Sequence, residues 1–182
     1  MTPGPRETAP VVVVGAGCIG AAIAYQLGRR GVRGVTVLER EKFAGAGSTG
    51  KAAGGIRAQF STPINVKISM LAVRHYERFA EELETDPVFF PVGYLFLLGD
   101  PARWADFQRQ ADMQRSLGLE VETLTPDDAR RLVPELDVED VLGATFCRRD
   151  GLGNPHEVTQ AYVRAARSLG ATFHFERAAT GW

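Results

Sequence analysis

Cysteine is nearly absent from this 182-residue chain, which holds only Cys18 and Cys147. Two cysteines cannot build a disulfide framework, and neither stands at the spacing of a zinc site. The expected compartment is therefore a reducing one, taken as the cytoplasm. Histidine is scarce as well: His75, His156 and His174 lie far apart and outside any metal-ligand pattern, so no metal is expected. Excess charge of one sign is missing. The 21 Lys and Arg balance 22 Asp and Glu to a net charge of −1, and no basic block appears. That excludes the electrostatic footprint of a nucleic-acid binder. Long apolar runs are missing too. The run that starts at Val11 is broken by three glycines and is too short to span a bilayer. The leader MTPGPRETAP has no signal-peptide pattern and reads as a flexible segment over residues 1–10. There is no internal repeat or low-complexity tract. With 45% hydrophobic and 24% charged residues the composition is that of an ordinary globular protein, large enough for one domain or a small two-part body.

What is present concentrates in Val11–Glu39. Four valines are followed directly by G-x-G-x-x-G at Gly15, Gly17 and Gly20. A second β-branched run, Val35–Val37, leads to the acid Glu39. Strand, glycine turn, helix, strand and acid, with the acid about twenty residues beyond the glycines, is the order of a dinucleotide-binding βαβ unit. Val11–Val14 is apolar on both faces, as a strand between helix layers must be. Gly15 allows a tight turn, Gly17 a close approach of backbone to pyrophosphate, and Gly20 close packing of helix on strand. The segment Gly15, Ala16, Gly17, Cys18, Ile19 and Gly20 is thus the expected phosphate-binding turn, with Cys18 filling a variable slot as a small apolar residue. The helix start adds N–H groups and the positive end of its dipole. Ile19, Ile23 and Leu27 predict an apolar stripe against the sheet, and Gly31 a helix stop. Glu39 would accept from both hydroxyls of an adenosine ribose, and would repel a 2′-phosphate. The unit by itself does not separate FAD from NAD, since both carry an ADP half.

Beyond the βαβ unit the sequence predicts a small-residue loop over Phe43–Ser61. A helix begins at Thr62-Pro63, with Ile64, Ile68, Leu71, His75, Phe79 and Leu83 in helical rhythm, and ends at Asp86-Pro87. Phe89–Leu98 predicts a strand bent at Gly93. Helices then start at Asp100-Pro101 and Thr125-Pro126, with strands at Glu120–Leu124 and Val141–Cys147 and a turn at Asp150-Gly151. Asn154-Pro155 opens a helix with Val158, Ala161, Tyr162, Ala165 and Leu169 inward, and Ala171–Glu176 predicts a last strand. Four helices thus begin with a cap residue followed by proline. The span from Glu39 to Ala171 is too long for a crossover connection. It reads as an inserted lobe over residues 61–150, between a βαβ unit with its loop (11–60) and a returning helix and third parallel strand (151–182).

Four stretches carry a family resemblance: the dinucleotide motif through Leu38–Arg40, GSTGKAAGGIRAQFS (Gly47–Ser61), VGYLFLL (Val92–Leu98) and DGLGNPHEVTQAYVRAARSLGA (Asp150–Ala171). In their order and spacing the chain resembles the FAD-dependent amine and amino-acid oxidoreductases, the group of glycine oxidase, D-amino-acid oxidase, sarcosine oxidase and dimethylglycine dehydrogenase. The resemblance implies an α/β fold: a Rossmann-type FAD-binding domain with a parallel sheet, plus an inserted α+β substrate lobe. It also implies FAD as cofactor and a small amine or amino acid as substrate, oxidised at its C–N bond. It gives Glu39 the ribose, with Arg40 beside it. Ser48, Thr49 and Lys51 would follow the pyrophosphate and ribityl chain. Ala52, Ala53, Gly54 and Gly55 would let backbone lie close to the flavin, and Ala179 would sit near adenine. Arg57 would meet a substrate carboxylate. Ser48–Thr49 also reads as the cap of a short helix, and Lys51 and Arg57 as solvated charges. Some relatives attach flavin through a histidine near the motif; none occurs between Glu39 and Ser61. No general base is identified.

The family's members are longer than this chain. The expectation is therefore a C-terminally truncated form, or a subunit needing a complementary chain, that binds FAD weakly and is inactive alone. In it Val11–Val14 would form a sheet edge. A nicotinamide-dependent dehydrogenase and a non-catalytic nucleotide-binding fragment or subunit remain as alternatives.

Overall fold

A valine strand that runs into a left-handed glycine sets the first turn of the fold. Gly15 has φ +97°, a conformation that a side chain would strain. In the computed structural model, residues 8–86 and 88–181 are described. The leader over residues 1–7, and Pro87 as helix stop, lie outside the described residues. The elements in chain order are β1 (Val11–Val14), α1 (Cys18–Arg29), β2 (Val35–Leu38), a 3₁₀ turn (Thr49–Lys51), β3 (Gly55–Ile56), α2 (Pro63–Glu77), α3 (Phe79–Leu83), β4 (Phe89–Phe90), β5 (Tyr94–Leu98), α4 (Pro101–Ser116), β6 (Val121–Leu124), α5 (Pro126–Leu132), β7 (Gly143–Cys147), β8 (Gly151–Gly153), α6 (Pro155–Ser168) and β9 (Thr172–His174). They form two units. One comprises the chain up to Gly54, Leu83–Val88 and the chain from Asn154; the other comprises Gly55–Glu82 and Phe89–Gly153.

The first unit holds a parallel sheet of order β1-β2-β9. Val13 lies opposite Val37, and Thr36 opposite Thr172, where the two hydroxyls meet at 3.2 Å. Val13, Val35 and Val37 are buried on one face, while Val12 and Val14 are 49% and 68% exposed. The strand is therefore covered on one face, not both, and it occupies the sheet edge. The expected α1 stripe is also corrected. Ile19 and Ile23 are exposed, and the buried residues are Ala21, Ala24 and Tyr25. Small residues let α6 come close: a Cβ on Gly28 would sit 2.8 Å from Leu169 Cβ. Tyr25 and Tyr162 meet there at 5.7 Å between ring centroids. The inner face of α6 holds Val158, Ala161 and Tyr162 as expected, but Thr159, Val163 and Ala166 in addition.

The second unit carries two antiparallel sheets, β3-β8-β4 and β5-β7-β6. The predicted strand Phe89–Leu98 is two strands in different sheets, divided at Gly93. That residue has φ +86°, and a Cβ on it would come within 2.3 Å of the Phe146 ring. The long helix after Thr62 is likewise two, broken at Arg78. The buried residues of α2 are Val66 and Val73; Val66, with Met70, packs with Ala58, Ala111, Leu119, Val121 and Cys147, and Ile64, Ile68 and Leu71 face out. All four predicted cap-proline starts are helix starts. Asp100, Thr125 and Asn154 accept the expected backbone N–H bonds, and Thr62 does not. The Asp150-Gly151 turn leads at once into β8, whose pairing with β3 draws Gly55–Ile56 into this unit. The division therefore falls at Gly54/Gly55 and Gly153/Asn154 rather than at 60/61 and 150/151, with Leu83–Val88 returned to the first unit. Within that unit Arg164 donates to Thr85 Oγ1 and Asn154 N–H to Val88 O.

The central strand β7 tolerates little added volume at its start, where a Cβ on Gly143 would lie 2.3 Å from the Trp104 indole. Gly143→Ala should destabilise this unit by about 1–3 kcal/mol through overpacking. Urea unfolding followed by Trp104 fluorescence checks it; an unchanged midpoint would contradict the packing described.

Candidate cofactor and substrate sites

The tip of β1, the start of α1 and the tip of β2 converge in the first unit. The Ala16 N–H donates to Glu39 Oε2 at 2.7 Å, and the Glu41 N–H to Glu39 Oε1 at 2.9 Å. Each carboxylate oxygen keeps further acceptor capacity, which a ribose diol can use. The Gly15 N–H donates to Leu38 O at 2.8 Å, tying the turn to the second strand. Gly17 is the N-cap of α1 and brings no capping side chain, so backbone is left open at the positive end of the helix. The first i→i−4 bond runs from the Ala21 N–H to Gly17 O at 3.0 Å. A Cβ on Gly20 would lie 1.9 Å from Gly15 O, so no side chain fits where helix and turn touch. Thr49 reaches this point from the loop after β2: its hydroxyl accepts the Cys18 N–H at 3.1 Å, and a Cβ on Gly17 would approach it to 3.0 Å. The Gly45 N–H, bonded to Ala16 O at 3.0 Å, holds that loop in place.

Gly15 to Gly20, Glu39 and Thr49 are thus brought together. Ser48 and Lys51 are exposed around the 3₁₀ turn; neither the hydroxyl of Ser48 nor any side chain caps that turn. Arg40 is exposed and paired with Glu41 at 3.3 Å. Ile19 projects into solvent, Ala53 is exposed beside Gly54, and Ala179 is exposed beyond β9. Gly55 and Arg57 belong to the other unit. A helix start without an N-cap side chain, a glycine turn with no room for a Cβ at Gly20 and a carboxylate at the second strand tip fit the ADP half of FAD.

The second unit holds a cavity of about 270 Å³ lined by Arg57, Phe60, Phe96, Phe107, Gln110 and Gln114, among others. The Arg57 guanidinium lies 4.7 Å from the Phe60 ring centroid, 5.4 Å from that of Phe96 and 5.6 Å from that of Tyr94. Its one hydrogen bond, from Nε to Gln59 O, is long at 3.5 Å, and it forms no ion pair among the described residues. Beneath it sits a buried polar cluster. Asp150 is fully buried; its Oδ1 accepts the Ala58 N–H at 2.8 Å and its Oδ2 the Gln59 amide at 3.4 Å. Gln59 also donates to Tyr94 O at 2.9 Å and accepts from Thr145 Oγ1 at 2.9 Å. Burial raises the Asp150 carboxyl above the usual range, against the pull of these donors. Burial, and then the Asp150 charge, push the Cys147 thiol up to about 11, which leaves it an inert core residue. Sequence reading missed the cavity wall on α4, although Phe107, Gln110 and Gln114 stand at helical spacing. It missed Asp150 altogether, because an Asp before Gly signals only a turn.

The "FAD dependent oxidoreductase" family matches residues 10–182. The chain belongs to that family. The FAD-dependent oxidoreductase domain-containing protein 1 of Xenopus laevis is 33% identical over 177 residues, which is 91% of this chain and 35% of that protein. Human mitochondrial dimethylglycine dehydrogenase is 30% identical over 171 residues, 93% of this chain and 20% of its own length. Among solved structures, L-proline dehydrogenase from P. horikoshii superposes with a TM-score of 0.86 at 35% identity, covering 94% of this chain and 45% of that one. The chain spans less than half the length of these relatives. The family's cofactor is FAD, and its fold is the α/β fold described above. Among the described residues no three His, Cys, Asp or Glu side chains gather as a metal site, and no helix is long and apolar enough to cross a membrane.

Replacing Glu39 by Ala should lower FAD affinity about tenfold or more by deleting charge-assisted bonds to the ribose. Flavin fluorescence titration reads this, and unchanged affinity would remove Glu39 from the cofactor site. Asp150 gives a pH signature. An acid whose folded value is raised binds its proton more readily in the folded state. Its stabilising contribution is complete below the ordinary carboxylate value and is lost as pH rises through the raised one. The stability of wild type relative to Asp150→Asn should therefore fall as pH rises across that window; a flat difference would contradict the burial argument.

Proposed function

We propose that the chain supplies the ADP-binding part and the substrate-carboxylate pocket of a flavoenzyme that oxidises the C–N bond of a small amino acid or N-methylated amine. The observation that carries this reading is Arg57, a cation without an acidic partner among the described residues that lines an aromatic-walled cavity. An arginine fork matches a carboxylate in a bidentate manner, and apolar rings beside it accept the carbon body of a compact substrate. The names of the relatives, dimethylglycine dehydrogenase and L-proline dehydrogenase, support the same class.

Bound flavin supplies the acceptor for a hydride equivalent from the carbon next to nitrogen. The oxidised substrate is then an imine, which water hydrolyses. Within the cavity Arg57 would hold the carboxylate, and Phe60 and Phe96 would exclude water around the carbon being oxidised. In the dinucleotide unit Glu39 would hold the ribose, and the turn from Gly15 to Gly20 the pyrophosphate. No residue is assigned as a general base. Because the chain spans under half of its relatives' length, we expect it to bind FAD weakly and to turn over no amine unless further polypeptide, in the same or a complementary chain, completes it. A cytoplasmic location is proposed on the two reduced thiols.

Anaerobic addition of L-proline, sarcosine or N,N-dimethylglycine to the completed, FAD-loaded protein should bleach the flavin absorbance. Arg57→Gln should raise the half-saturating concentration about tenfold or more, as loss of a charged hydrogen-bonded contact does. Failure of every amino acid and N-methylamine to reduce the flavin would overturn the proposal.

A further inference from the structure

The cation in the cavity stands on a segment whose next two residues meet a buried carboxylate. Arg57 lies on the short segment between β3 and α2, and no ion pair among the described residues fixes its head group. The next two residues, however, are clamped. Oδ1 of Asp150 takes the Ala58 N–H, and Oδ2 takes the Gln59 side-chain amide. The same amide nitrogen donates to Tyr94 O, and the ring of Tyr94 lies under the Arg57 guanidinium. The Gln59 carbonyl oxygen is occupied by the Thr145 hydroxyl. Turning the amide over would set its oxygen against two acceptors, Tyr94 O and Asp150 Oδ2, so its orientation is fixed by chemistry. Asp150, Gln59 and Thr145 are all buried, and no buried side-chain polar atom among the described residues lacks a partner. Asp150 is itself pinned through its main chain, its O accepting the Gly93 N–H at 2.8 Å. The carboxylate thus ties the segment after β3 to the loop between β7 and β8, and the Gln59 amide and the Asp150 main-chain O add the start of β5.

We propose that Asp150, acting through Ala58 and Gln59, is the positioning residue that sets Arg57 for an anionic substrate. The claim rests on the carboxylate role of Arg57 proposed above. An asparagine at position 150 could keep the Ala58 bond through its oxygen. Its amide would then face the Gln59 amide, donor against donor, and Gln59 would have to release the segment. Gln59→Met reaches the same end differently. It removes the links to Tyr94 and Asp150 and leaves the Ala58 bond in place.

The test uses the 182-residue chain, saturated with FAD and labelled with ¹⁵N-arginine, and N,N-dimethylglycine as probe. Two quantities are read: the Arg57 Nε–Hε resonance without probe, and the dissociation constant of the probe. Asp150→Asn and Gln59→Met should each displace the resonance and weaken binding about tenfold, the effect of losing a hydrogen bond to a charged group. Arg57→Gln should weaken binding about tenfold or more. If Arg57→Gln weakens binding to that extent while both other variants keep the resonance in place and bind within about twofold of wild type, the positioning claim is overturned and the carboxylate reading stands. A drop in melting temperature alone, with resonance and affinity unmoved, also overturns it. If Arg57→Gln binds as wild type does, or wild type binds nothing, the carboxylate reading fails. The resonance then decides the positioning claim by itself: displaced, it supports the clamp; unmoved, it refutes it. Should Asp150→Asn fail to fold, Gln59→Met carries the same readouts.

Discussion

A fully buried carboxylate without a cation beside it is costly unless every lone pair finds a donor. At Asp150 the Ala58 N–H and the Gln59 amide offset part of that cost, and burial still holds its carboxyl above the usual range. Without it the buried Ala58 N–H on the segment after β3 would lose its partner. The same arrangement explains the chemistry around it. Cys147 is driven into its neutral thiol form, and Gln59 is locked in one orientation. Arg57 stands on the rim of this cluster over three aromatic rings. The polar core is thus a frame, and the cavity is what the frame holds open.

The first unit solves a different problem with nearly the opposite means. Its ligand-facing surface is made of absences: no side chain at Gly15 or Gly17, no capping group on α1, no room for a Cβ at Gly20. Glu39 brings a charge to the turn, and backbone N–H groups from Ala16 and Glu41 orient it. A diphosphate ester asks for N–H groups and close approach, a diol for a fixed acceptor, and the turn offers both. Thr49 adds a constraint from outside the motif, since its hydroxyl occupies the Cys18 N–H and so narrows which N–H groups remain for phosphate.

Local chemistry was readable in the sequence; long-range partnership was not. The glycine turn, Glu39 at the second strand tip and the proline-led helix starts are short-range patterns, and they stand where they were expected. The inner face of α1 was misjudged because large aliphatic residues draw the eye, whereas helix-on-helix contact here selects Ala21, Ala24 and Gly28. On α2 the rhythm of Ile64, Ile68 and Leu71 competes with that of Val66, Met70 and Val73, and only the position of β6 and β7 decides between them. Phe89–Leu98 looks continuous in hydrophobicity, but Gly93 sends its two ends to different sheets. Arg57 was singled out by family likeness alone. Asp150 read only as the start of a turn, since its partner Ala58 lies 92 residues away.

The order of the strands has a consequence for how the chain is made. Thr36 on β2 meets Thr172 on β9 across 136 residues of sequence. During synthesis the opening βαβ segment must leave the ribosome and wait, its third strand and the α6 helix still untranslated. Nearly the whole second unit is translated meanwhile and can close upon itself first, because its pairings span shorter separations and cost less loop entropy. By the time His174 emerges, that finished lobe acts as a tether. It shortens the effective distance over which the waiting valine strands must find their last neighbour.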